Sequence, residues 1–161
     1  MSNIENSMLS EYMSYEEAVR SQTAERNGID NTPNPEQVRN MIFVSVEVFD
    51  KIRYHFGFPL TCSSFFRCPE LNSKIGSTDR SFHTHGAAID IKKLSQYVTY
   101  AEIFDFIRCE LEFSELIWEY GTVTEPAWVH VAFLKGDNRK MVKRAYRDLD
   151  GKNHVIPFDL Y

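Results

Sequence analysis

Several devices that define small or specialised proteins are scarce or missing in this sequence. Cysteine occurs only as Cys62, Cys68 and Cys109 in 161 residues, and no two stand as Cys-x-x-Cys. That spacing argues against a finger-like cysteine metal site. An odd, scattered count reads as reduced thiols in or near the core. No apolar run approaches the ~18 residues of a membrane span. Residues 1–20 are polar and acidic, without a basic-plus-apolar leader, so synthesis in a cytoplasm with no signal peptide is expected. An excess of positive charge is also missing: the net charge is -5 and the pI about 5.5, which gives no reason to expect a nucleic-acid surface. No repeat or low-complexity segment appears. What remains is 43% hydrophobic and 14% aromatic, the composition of one globular domain with a real core.

Start and stop signals divide the chain. Ser14-Tyr15-Glu16-Glu17 fits a capping box and opens a short helix running to about Arg26, closed near Gly28. Asn34-Pro35-Glu36-Gln37 opens a second helix. Its apolar stripe is Val38, Met41, Ile42, Val46, Phe49 and Ile52, and it should end near His55 to Gly57. Residues 1–33 thus read as an N-terminal helical extension and 34–161 as the main domain. Phe58 to Phe66 reads as a strand, Pro69 starts a single helical turn, and Gly76 to Phe82 is a surface loop. Ala87 to Ile91 is a short strand with Ala88 and Asp90 on one face. Thr99-Tyr100-Ala101-Glu102 caps a helix carrying Ile103, Phe104, Ile107 and Leu111. Glu115–Tyr120 and Ala127–Phe133 form an antiparallel hairpin across 121–126. Arg139–Arg147, with five basic residues, reads as an amphipathic helix. Asp150-Gly151 turns a last hairpin between Ala145–Leu149 and His154–Phe158. Without βαβ rhythm, this is an α+β fold: a small antiparallel sheet flanked by helices.

The chemistry concentrates in Ser81-Phe82-His83-Thr84-His85-Gly86-Ala87-Ala88-Ile89-Asp90, with Trp128-Val129-His130 forty residues on. Two imidazole nitrogens and a carboxylate oxygen are a plausible three-ligand set for zinc, with a fourth position open. A charged imidazole among Trp128, Val129, Val131 and Phe133 would be costly, and a metal-bound neutral one would not. Taken singly, His130 also fits a hydrogen-bonded core residue, Asp90 a strand-end cap, and His83 with His85 a polar loop. Arg67 alone reads as a surface ion pair after a strand.

Together these segments resemble the zinc D-alanyl-D-alanine carboxypeptidase and murein endopeptidase family, the LAS-type fold shared with VanY-like enzymes and hedgehog zinc domains. Ser81-x-His83-x-x-Gly86-x-Ala88-x-Asp90 matches the first signature at every fixed position, and Trp128-x-His130 matches the second. Ser63-Ser64-Phe65-Phe66-Arg67-Cys68-Pro69-Glu70-Leu71-Asn72 is similar to the family's Ser-Gly-Tyr-Arg-Ser-Pro-x-Leu-Asn, with Cys68 where Ser is usual. The likeness covers roughly residues 35–145 and is nearest to small single-domain phage members.

The resemblance implies Zn2+ held by His83, Asp90 and His130, with His83 preferred over His85. It implies Arg67 facing the substrate, where a guanidinium grips a carboxylate or an oxyanion. Ser81 would orient a ligand, while His85 and Trp128 would line the cleft. Many relatives place an acid three positions before the last histidine, and here that position is Ala127. Glu119, an acid in an apolar strand, is expected to be the general base instead, ahead of Glu125 in the hairpin loop. The implied function is hydrolysis of peptidoglycan stem peptides, as a D,D-carboxypeptidase or an endopeptidase. The alternative is a zinc-binding structural or wall-recognition module without turnover. With no leader, access to the wall would follow lysis or holin release, or come with a virion. The implied partner is a peptidoglycan peptide; oligomeric state is not legible.

Overall fold

The computed structural model describes residues 7–158. Its helices are α1 (Tyr15–Val19), α2 (Gln22–Asn27), α3 (Pro35–Val44), α4 (Asp50–Phe56), α5 (Pro69–Lys74) and α6 (Tyr100–Glu110). Its strands are β1 (Leu60–Ser64), β2 (Ala88–Lys93), β3 (Glu115–Glu119), β4 (Trp128–Ala132), β5 (Met141–Arg147) and β6 (Asn153–Pro157).

The capping signals act as read. Asn34 and Gln37 exchange side-chain and backbone bonds at the start of α3, and Thr99 and Glu102 do the same at α6. The long second helix does reach Phe56, with Gly57 left-handed behind it. Between α3 and α4 it carries a π-helical turn, Ser45–Phe49. Buried Ser45 donates to the Met41 carbonyl at 2.8 Å within this stretch, the local competition that distorts helices. The first predicted helix is instead two. Arg20 is extended, and Ser21 supplies a second cap that accepts from the Ala24 N–H and opens α2.

The six strands form one sheet in the order β1-β2-β4-β3-β5-β6. Every pairing is antiparallel except β3–β5, which is parallel. The predicted helix over Arg139–Arg147 is therefore corrected to strand β5. Its basic residues recur at the three- and four-residue spacing of a helix face, and as a strand they fall on both faces, Lys143 and Arg147 on one and Arg144 on the other. Non-local pairing with β3 on one side and the β6 hairpin on the other decides for the strand.

The sheet has two unlike faces. Ile89, Ile91, Leu116, Trp118, Val129 and Val131 point to one side and are buried against Met41, Val44, Val48, Phe49, Ile52, Ile103, Phe104 and Ile107 of the helices. Leu9, Met13, Tyr15 and Ala18, before α2, join the same core. The alternate residues point the other way and build an open cleft. Fully burying each of these large aliphatic or aromatic side chains contributes about 1.5–3 kcal/mol. That strongly specifies register, since a one-residue slip would bury the polar set. Of the cysteines, Cys62 and Cys68 are half-buried but Cys109 is exposed, which corrects its placement near the core. Among the described residues no helix is long and apolar enough to cross a membrane.

Candidate metal centre

His83 sits in a short 3-10 turn, Phe82–His85, between Ser81 and Gly86. The Ser81 hydroxyl accepts from the His83 N–H at 3.4 Å, so it shapes the turn that carries the imidazole. Gly86 closes the turn at φ +66, a left-handed conformation. The loop lies against α3, where Gln37 donates to the Thr84 carbonyl at 2.8 Å and Asn40 to the His85 carbonyl at 2.9 Å. A Cβ at Gly86 would stand 2.5 Å from the Gln37 carbonyl oxygen. Gly86→Ala is therefore expected to cost about 1–3 kcal/mol from backbone strain, with the clash adding to it. Thermal denaturation should show the lower midpoint, and a midpoint equal to the parent's would refute the account.

Asp90 on β2 and His130 on β4 are direct cross-strand partners. Three donor atoms converge. His83 Nε2 lies 3.3 Å from Asp90 Oδ1 and 3.2 Å from His130 Nδ1, and the last two are 2.9 Å apart. Donors about 2.0–2.2 Å from a tetrahedral ion stand roughly 3.3 Å from one another, so the set fits zinc. The orientation fits too. His83 Nδ1 is 2.6 Å from the Phe65 carbonyl, which accepts its proton and leaves Nε2 as a lone-pair donor. Among the described residues this is the one cluster placed to hold a metal, and all three members are buried.

Electrostatics sharpen the picture. Burial raises the Asp90 pKa, but the two imidazoles set against its carboxylate, His83 and His130, outweigh it and hold the carboxyl well below its ordinary range. Burial keeps His83 below the usual histidine value. Arg67 donates from Nε to the Ser64 hydroxyl at 2.7 Å and from a terminal nitrogen to Asp90 Oδ2 at 2.8 Å. Its partner is thus a buried carboxylate, not a surface one, and Oδ1 of Asp90 is left for the metal side.

The open face forms a cleft of about 900 Å³. Arg67, Ser81, His83, Asp90, Glu119, Trp128 and His130 all line it, and Tyr120 packs 5.3 Å from Trp128 along the wall. Two candidates fall outside. His85 is exposed and does not line the cleft, because the left-handed Gly86 and the α3 contact turn it outward. Glu125 is half-buried elsewhere, accepting from the Tyr100 and Ala101 N–H groups at 2.8 and 3.1 Å, where it complements the positive end of α6. Sequence reasoning missed Glu115, which lines the same cleft four residues before Glu119. Strand alternation from Glu119 was the signal that would have found it.

Burial raises the Glu119 carboxyl from its ordinary 4.5 to about 7, with His130 opposing. The folded metal-free protein therefore keeps a proton that the unfolded chain releases between those values. Stability is full below the lower value and falls as pH rises through the window. Glu119→Gln is expected to stabilise the metal-free protein near pH 8 by roughly 2 kcal/mol, after discounting for partial exposure, and to make little difference near pH 4. Melts in chelator at both pH values test this, and a gap that does not change with pH would contradict it.

Compared with known proteins, the chain matches the Peptidase M15 family over residues 11–132. The match runs from before α1 to the end of β4 and takes in every member of the candidate centre. No curated protein matches the chain. A match of this extent, over a mostly antiparallel α+β sheet, places the chain in peptidase family M15, a family of zinc-dependent peptidases.

Proposed function

We propose that this protein hydrolyses peptide bonds in the stem peptides of bacterial peptidoglycan, using zinc held by His83, Asp90 and His130. The observation that carries the reading is the convergence of those three donors on the floor of a cleft whose wall presents Glu119. When bound, zinc supplies a Lewis acid for a scissile carbonyl and makes water acidic enough to be a nucleophile near neutral pH. Glu119 takes the proton of the attacking water and passes it to the leaving amine. Its carboxyl stands on the cleft wall beside the three donors, where it is suited to both halves of that exchange. Arg67 keeps N–H groups beyond those bonded to Ser64 and Asp90, and it uses them for the oxyanion or a substrate carboxylate. Trp128 and Tyr120 give the peptide an apolar wall, and Ser81 keeps the His83 turn in shape.

The protein reaches the wall after lysis or holin release, or as part of a virion. The test is mass spectrometry of products from defined muropeptides, alongside elemental analysis. One zinc per chain with a single cleaved bond type supports the reading and names the bond. Zinc without any product would leave a wall-binding module, and no zinc would remove the centre altogether.

A further inference from the structure

His130 has a second ring nitrogen that the metal centre does not use. Nδ1 faces Asp90 and His83, while Nε2 is buried without a hydrogen-bond partner. An imidazole that coordinates through Nδ1 carries its proton on Nε2, and a buried N–H calls for an acceptor. The nearest carboxylate oxygen is Glu115 Oε1, at 3.5 Å. The other oxygen, Oε2, accepts from Lys143 Nζ at 2.5 Å. The Glu115 side chain is 13% exposed, so little water competes for it. Sheet geometry alone does not require an acid here, because the residue opposite His130 on β3 is Ile117. Lys143 comes from β5, which lies beyond the family match and pairs in parallel with β3.

We propose that Glu115 is a positioning residue for the metal centre. It accepts the Nε2 proton of His130 and so fixes the tautomer that presents Nδ1 to zinc, while Lys143 holds its carboxylate in place. This rests on the reading of His83, Asp90 and His130 as the zinc site. The C-terminal hairpin would then complete the outer part of the centre with residues that lie past the family match.

The test is zinc affinity of the full chain, measured by competition with a chromophoric chelator, with the visible spectrum of the cobalt-substituted protein beside it. Glu115→Ala is expected to bind zinc about 10–100-fold more weakly and to shift the cobalt bands. Glu115→Gln keeps an acceptor oxygen and is expected to regain affinity relative to Glu115→Ala. Lys143→Ala is expected to weaken binding by less than Glu115→Ala. Melting of the metal-free variants reports any general loss of structure; should Glu115→Ala not fold, Glu115→Gln and Lys143→Ala decide. Parental affinity and spectrum in the variants that fold would overturn the proposal, as would a Glu115→Gln no better than Glu115→Ala. A parent that binds zinc but cleaves nothing defeats the proposed function and leaves this inference standing. A parent that binds no zinc defeats both.

Discussion

Glu119→Gln should lower the rate of muropeptide hydrolysis by roughly 10²–10⁴-fold and leave a full equivalent of zinc bound. The amide keeps the shape of the side chain and removes only its ability to take a proton. Glu119 sits at the end of β3, paired to Trp128, two residues along from His130, which faces Ile117. Its side chain lines the cleft but is not one of the three convergent donors. Loss of rate and retention of metal are therefore separable at this residue. Glu125 gives the control. Its carboxylate is occupied at the start of α6, so Glu125→Gln should change stability modestly through the helix terminus and leave turnover close to the parent's. Full activity in Glu119→Gln would remove Glu119 from the mechanism. Loss of activity in Glu125→Gln alone would transfer the role to that residue.

How far the residues alone could be read depends on range. The caps at Asn34 and Thr99 were legible because their hydrogen bonds close within four residues. So was the His83–Gly86–Asp90 segment, where a left-handed glycine and a short strand fix the geometry locally. Joining His130 to it needed the family likeness, since a lone histidine in an apolar strand has several ordinary explanations. The β3–β5 pairing was beyond reach for the opposite reason. It is parallel and links residues 26 apart, as in Glu115 to Met141, and no local signal in Met141–Arg147 separates a strand from a helix. That error hid Lys143 and, with it, the reason for Glu115. The π-helical turn at Ser45–Phe49 likewise has no pattern of its own, because an apolar stripe tolerates one extra residue. His85 points away from the cleft because the direction of a side chain in a short turn is set by what packs beneath the turn, here Gln37 and Asn40 of α3.

Asp90→Ala should both abolish tight zinc binding and destabilise the metal-free protein, by about 3–5 kcal/mol. The second effect does not depend on metal. The side chains of Arg67 and Asp90 are only 13% and 9% exposed and meet at 2.8 Å. Removing the carboxylate leaves a guanidinium in low-dielectric surroundings with the Ser64 hydroxyl as its remaining bonded partner. Burial already lowers the Arg67 pKa against the pull of Asp90, so the environment disfavours that charge unpaired. His130 also loses the 2.9 Å acceptor that most favours its proton. A double-mutant cycle separates these costs. If the unpaired guanidinium dominates, Arg67→Ala with Asp90→Ala should be clearly less destabilised than the two single losses added together. Urea unfolding in chelator measures all four proteins without metal linkage. Additive losses would mean that Arg67 and Asp90 act independently. The cost of Asp90→Ala would then lie with the histidines, and the role of Arg67 would be toward substrate alone.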